Sequence, residues 1–170
     1  MPAAQLVYQM KLWLCDIEPI IWRRLEVPAE IALPKMHNLI QTTMGWEDYH
    51  LHQCRVGDQL YEVPDPESLD DQVQSLDERR VKLNTIVREI GTELSYLYDF
   101  GDGWEHVLRL EEIRPTAPRV QYPRCVDGAR SGPPEDVGGP FGYEAYLEAL
   151  VDPDHEQHEE FARAVRSGKV

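Results

Sequence analysis

YLYDFGDGWEHVLRLE, residues 96–111, sets two aromatic-rich strands around a four-residue Gly/Asp turn. Alternate residues of a strand share a face, so Trp104, His106, Leu108 and Leu110 form one apolar row. The predicted strands cover residues 94–99 and 104–113. Between them Gly101 and Gly103 supply positive φ, while Asp99 and Asp102 are placed to accept hydrogen bonds from turn amides. The same stretch concentrates Asp99, Asp102, Glu105 and His106, a dense set of acid, base or metal-ligand groups on a rigid hairpin.

Towards the N-terminus, Tyr8, Met10, Leu12 and Leu14 alternate with Gln9, Lys11 and Trp13, which predicts a half-buried strand. Glu18-Pro19 breaks the pattern before a second strand at residues 20–27, and the short connection predicts an antiparallel hairpin. Pro34 suits a first helical position, Met36, Leu39, Ile40 and Thr43 keep helical spacing, and Gly45 is placed to end that helix. Strands at residues 49–56 and 59–63 follow around Gly57-Asp58. Residues 64–78 read as an exposed acidic loop, and Asn84 could cap a short helix after it. Residues 115–140, with six prolines and four glycines, read as an irregular excursion. Tyr143, Tyr146, Leu147 and Leu150 mark one helix face. Asp152-Pro153 is expected to open a last helix with Phe161 and Val165 inward. The fold class is therefore α+β in a single domain, residues 1–170. Its sheet is antiparallel or mixed, with a hairpin–helix–strand opening compatible with a β-grasp-like core, a second hairpin and C-terminal helices.

Composition narrows the function. The chain has 170 residues, 42% of them hydrophobic, with a formal net charge of −14. Residues 61–78 hold seven acids and residues 135–160 nine, and neither stretch contains Lys or Arg. Such a surface repels phosphate backbones, so tight non-specific nucleic-acid binding is not expected. Arg109, Arg114, Arg119, Arg124 and Arg130 are diluted by neighbouring acids. There is no secretory leader and no apolar run of about 20 residues, so the expectation is a cytoplasmic protein without a membrane span. Cys15, Cys54 and Cys125 fit a reducing compartment better than a disulfide framework.

His50, His52 and Cys54 share strand parity, and two imidazoles at that spacing can serve one divalent ion. Asp99, Asp102 and His106 are the candidates to complete such a set, although His106 also belongs to the apolar row, where a hydrogen-bonded core histidine is the simpler reading. Asp99-Phe100-Gly101 matches the kinase metal-binding tripeptide without any of the other kinase elements. His155-Glu156-Gln157-His158 is one residue short of a zinc-protease HExxH. Gly138-Gly139-Pro140-Phe141-Gly142 precedes a helix as an anion cradle would, but with Glu135-Asp136 beside it and no Lys after it.

Ile21-Trp22-Arg23-Arg24, Gly45-Trp46, His50-Leu51-His52 and YDFGDGWEH at residues 98–106 occur in that order. Tyr122-Pro123-Arg124-Cys125, Pro133-Pro134-Glu135-Asp136, Gly138-Gly139, Gly142-Tyr143 and Asp152-Pro153-Asp154-His155 follow. With these motifs the chain resembles the plasmid pRiA4b ORF-3-like family, which includes insertion-element passenger proteins called TnpR-like. The resemblance runs from about residue 7 to residue 160. It implies a compact α+β domain of mobile elements without an assigned reaction, and no recombinase serine with its arginine cluster is present. Many relatives carry further cysteines aligned with Gly132 and Val137, whereas Cys125 stands here without them. The chain ends FARAVRSGKV, where the resemblance implies a further Trp-containing segment, so the C-terminal end reads as shortened.

Two functions follow as expectations. The first is a non-enzymatic interaction or accessory module with a protein partner and with Asp99, Asp102, Glu105 and Arg24 as ligand-binding candidates. The second is a hydrolase-like enzyme holding a divalent metal through His50, His52, His106, Asp99 and Asp102.

Overall fold

The hairpin at residues 94–113 lies inside an eight-stranded sheet in the computed structural model, which describes residues 4–68 and 74–167. The strands are β1 (Leu6–Leu14), β2 (Trp22–Pro28), β3 (His52–Val56), β4 (Gln59–Glu62), β5 (Ser75–Asp77), β6 (Glu93–Tyr98), β7 (Trp104–Pro115) and β8 (Arg124–Ala129). Their order across the sheet is β5-β4-β3-β6-β7-β1-β2-β8. Every pair is antiparallel except β4 with β5, so the sheet is mixed. The opening hairpin, helix and third strand follow in the predicted sequence. In space, however, β6 and β7 stand between β3 and the hairpin.

Four helices accompany the sheet among the described residues: α1 (Leu33–Met44), α2 (Leu83–Ile86), α3 (Gly139–Val151) and α4 (His158–Arg166). Pro34 occupies the first turn of α1, and Gly45 ends it in the left-handed region with φ 77°. Strand parity places Tyr8, Met10, Leu12 and Leu14 beside Leu25, Val27, Leu94, Tyr96, Trp104, Leu108 and Leu110, all buried in one cluster. Met36, Ile40, Met44, Tyr143 and Tyr146 of α1 and α3 belong to the same cluster. The opposite face keeps ion pairs at the surface, such as Arg24 with Glu111 and Arg109 with Glu93. No helix among the described residues is long and apolar enough to cross a membrane.

Several local expectations change. The segment read as an exposed loop contains β5, and Glu78 directly after it is only 1% exposed; residues 69–73 of that loop lie outside the described residues. The excursion at residues 115–140 contains β8, which extends the sheet beyond β2. Its six residues are all exposed, so it carries no alternation to betray it. In α2 the N-cap is Lys82, and Asn84 lies inside the turn. Asp152 closes α3 and accepts a hydrogen bond from the Asp154 amide, and α4 opens only at His158. Phe161 packs on Tyr146, whereas Val165 is 46% exposed.

Candidate functional site

The segments 45–52, 98–106 and 131–143 meet at one end of the sheet. Trp46 is the first link. Its ring stacks on Tyr98 at 4.9 Å and its Nε1–H donates to the Pro133 carbonyl at 2.8 Å. The Tyr98 hydroxyl accepts from the Tyr49 amide and donates to Glu135, each at 3.0 Å. Burial, then the Glu135 carboxylate, pushes the Tyr98 pKa up, so this phenol stays a donor. Glu135 also accepts from the Glu47 amide at 3.0 Å. Asp102 accepts from the Gly138 amide at 3.1 Å, tying the start of α3 to the β6–β7 turn.

Two histidine clusters sit in this frame. In the first, His50 Nε2 lies 2.6 Å from Asp136 Oδ1 and 3.5 Å from Asp99 Oδ2. Asp99 is turned inward because its Oδ1 accepts from the amides of Gly101 and Asp102, at 3.0 and 3.2 Å. Both aspartates adopt the left-handed region, φ 59° and 56°, which Asp tolerates better than most residues. Desolvation works against a charged His50, but the Asp136 hydrogen bond and the charges of Asp99, Asp136 and Glu135 outweigh it, raising its pKa.

The second cluster is more buried. The rings of His37 and His52 stack at 3.6 Å with an 11° tilt. His37 Nε2 lies 2.8 Å from Asp48 and Nδ1 2.7 Å from the Tyr96 hydroxyl, which also accepts from Gln41 at 3.0 Å. His52 Nε2 lies 2.8 Å from Glu78. Burial, then the neighbouring His52, lowers the His37 pKa against the opposing pull of Asp48. A neutral His37 satisfies the set: Nε2–H donates to Asp48 and Nδ1 accepts from Tyr96. Lone pairs of imidazole nitrogens lie in the ring plane. Two nearly parallel rings therefore cannot both point at one ion.

The predicted candidates are thus divided. His50 and Asp99 come together, whereas His52 reaches Glu78 instead: His50 precedes β3, so the strand parity expected to pair the two histidines does not extend to it. Asp102 is a backbone anchor. His106 is 1% exposed beneath Trp46 and Tyr96, with burial lowering its pKa to about 4. Glu105 has the opposite parity on β7 and is exposed. Arg24 sits on the far face against Glu111 and Asp127, and Glu111 raises its pKa. Cys54 is buried, its thiol pKa pushed up by desolvation and then by Glu78.

Sequence reasoning missed His37, Asp48, Glu78 and Asp136 as site residues. The spacing 37, 40/41, 44 marks the buried side of α1 and would have found His37. Asp136 lies in the quoted Pro-Pro-Glu-Asp motif, but no local pattern links it to His50, 86 residues away.

Beside the first cluster runs an open groove of about 780 Å³ between the end of α1, residues 131–137 and α4. Met44, Pro133, Tyr146, Phe161 and Ala164 line it together with Glu47, Glu135, Asp136 and Glu160. Arg23 also lines it, but its guanidinium donates to the carbonyls of Thr43, Trp22 and Ala129.

The fold and the meeting of its motif segments define a mixed α+β domain with one acidic, histidine-bearing end. Residues 6–168 match the model of the plasmid pRiA4b ORF-3-like protein family, and the chain belongs to that family. It is 43% identical over 155 residues to the uncharacterized protein y4hQ of Sinorhizobium fredii (strain NBRC 101917 / NGR234), covering 91% of this chain and 78% of that one. It is similar to the crystal structure of MM3350, a protein of unknown function from Methanosarcina mazei Go1. The TM-score there is 0.83 at 36% identity, over 94% of this chain and 89% of the other.

Proposed function

We propose that the domain is a non-enzymatic, cytoplasmic interaction module, an accessory protein of mobile elements. Its binding surface is the groove between α1, residues 131–137 and α4. The observation behind this reading is the lining of that groove. Four carboxylates surround an apolar floor, and the one arginine of the lining spends its donors on backbone carbonyls. Such a groove favours a peptide segment that alternates Lys or Arg with apolar side chains, because its four carboxylates outnumber the single guanidinium and an entering cation meets a net negative field. A hydrolase centred on His50, His52, His106, Asp99 and Asp102 is the weaker reading, since His50 and Asp99 have an acidic partner, Asp136, outside that set.

The test uses chelator-treated protein and fluorescent peptides of matched length with Lys/Leu or Glu/Leu composition. The basic peptide is expected to bind with a salt-dependent affinity and the acidic one not to bind. Glu47→Lys with Glu160→Lys should abolish binding without lowering the melting temperature. Equal binding of both peptides, or binding untouched by the charge reversals, would remove the groove as the partner surface.

A further inference from the structure

We propose that His50, Asp99 and Asp136 form a site for one first-row divalent cation of the zinc class, open towards the groove. Three separate segments deliver the three side chains, and their ligand atoms all lie within 4.8 Å of one another. Ligands of one ion bound at about 2.0–2.2 Å stand roughly 3–3.5 Å apart, a range that reaches the 3.5 Å from His50 Nε2 to Asp99 Oδ2, while the 2.6 Å from His50 Nε2 to Asp136 Oδ1 would widen on binding.

Asp99 is an independent pointer to a ligand. Its side chain is only 8% exposed, and the β6–β7 turn holds one carboxylate oxygen through two amides, which aims the other at His50. Outer hydrogen bonds of this kind orient a ligating carboxylate in advance. His50 is 31% and Asp136 65% exposed at the side chain, so the remaining coordination positions face solvent and the groove wall that Asp136 forms. One imidazole with two carboxylates suits zinc, manganese or ferrous ions and disfavours cuprous ion, which prefers sulfur. The stacked His37–His52 pair competes poorly for the same ion because its ring planes do not converge.

The experiment uses the tag-free full chain in a Cys125→Ser background, which removes the exposed thiol. After chelator treatment, Zn²⁺ and Mn²⁺ are titrated by calorimetry, and Co²⁺ is followed by its visible ligand-field bands. One ion per chain is expected, with a thermal shift on binding. Asp136→Asn and His50→Gln should each weaken binding at least about tenfold. Asp136→Asn, at an exposed position, should melt like the parent in chelator, and His52→Gln should bind like the parent. Binding weaker than about 1 mM in the parent would overturn the site. So would undiminished binding in Asp136→Asn, or loss in His52→Gln with retention in His50→Gln. Peptide binding to the groove is measured in chelator, so failure of either proposal is read separately from the other.

Discussion

Trp104 and His106 are neighbours in one buried row, and they answer to different forces. Trp104 is fully buried, 6.0 Å from the Trp46 ring and 6.5 Å from Tyr143 by centroid. Trp104→Ala removes that packing and should cost about 3–5 kcal/mol, read from chemical denaturation. A variant melting within about two degrees of the parent would mean that the row carries little of the stability. His106 is buried with its Nδ1 3.2 Å from the Tyr96 carbonyl and its Nε2 without a hydrogen-bond partner. Its pKa in the fold, about 4, lies below the ordinary 6.5. Between those values the unfolded chain takes up a proton that the folded chain refuses. The contribution is therefore complete above pH 6.5 and drains away as the pH falls towards 4, by about 3 kcal/mol. His106→Phe should flatten the fall in unfolding free energy between pH 7 and pH 5. A slope identical to that of the parent would assign the acid sensitivity elsewhere.

The way α3 is set against the sheet depends on the β6–β7 turn. Asp102 holds the Gly138 amide, and the next residue, Gly139, stands so close that a Cβ there would lie 2.3 Å from the Asp102 carbonyl oxygen. Gly139 also has φ 70°, so a side chain would meet both backbone strain and a backbone atom that cannot yield. Gly139→Ala should destabilise by about 2 kcal/mol or more, and hydrogen exchange should show the loss concentrated in α3. Unchanged protection of α3 would show that the helix docks without this contact. Asp102→Ala tests the same joint more gently, with an expected loss of about 1 kcal/mol.

The net charge of −14 governs how the whole protein meets polyanions. Binding to random duplex DNA at physiological salt should be weaker than micromolar in an anisotropy titration. Sub-micromolar binding with a steep salt slope would instead point to the arginines between Arg109 and Arg130. Most of these already have acidic partners: Arg109 pairs with Glu93, Arg114 with Glu26 and Glu112, and Arg124 with Glu26.

Alternation of side chains made the β1–β2 and β6–β7 hairpins legible, since period-two burial is written locally. Pro34 and Gly45 did the same for α1, and the ordered motifs did so for the family. Strands without a buried face left no such trace, which is why β5 and β8 emerge only when the sheet is assembled. The site follows the same division. Parity could set His106 in the core and Glu105 outside, because a strand has two faces and every residue must take one. It could not reveal that His50 meets Asp136 or that His52 meets Glu78, pairs separated by 86 and 26 residues. Those partners are set by loop closure and helix docking, which bring together side chains whose chemistry fits but whose spacing along the chain carries no signal.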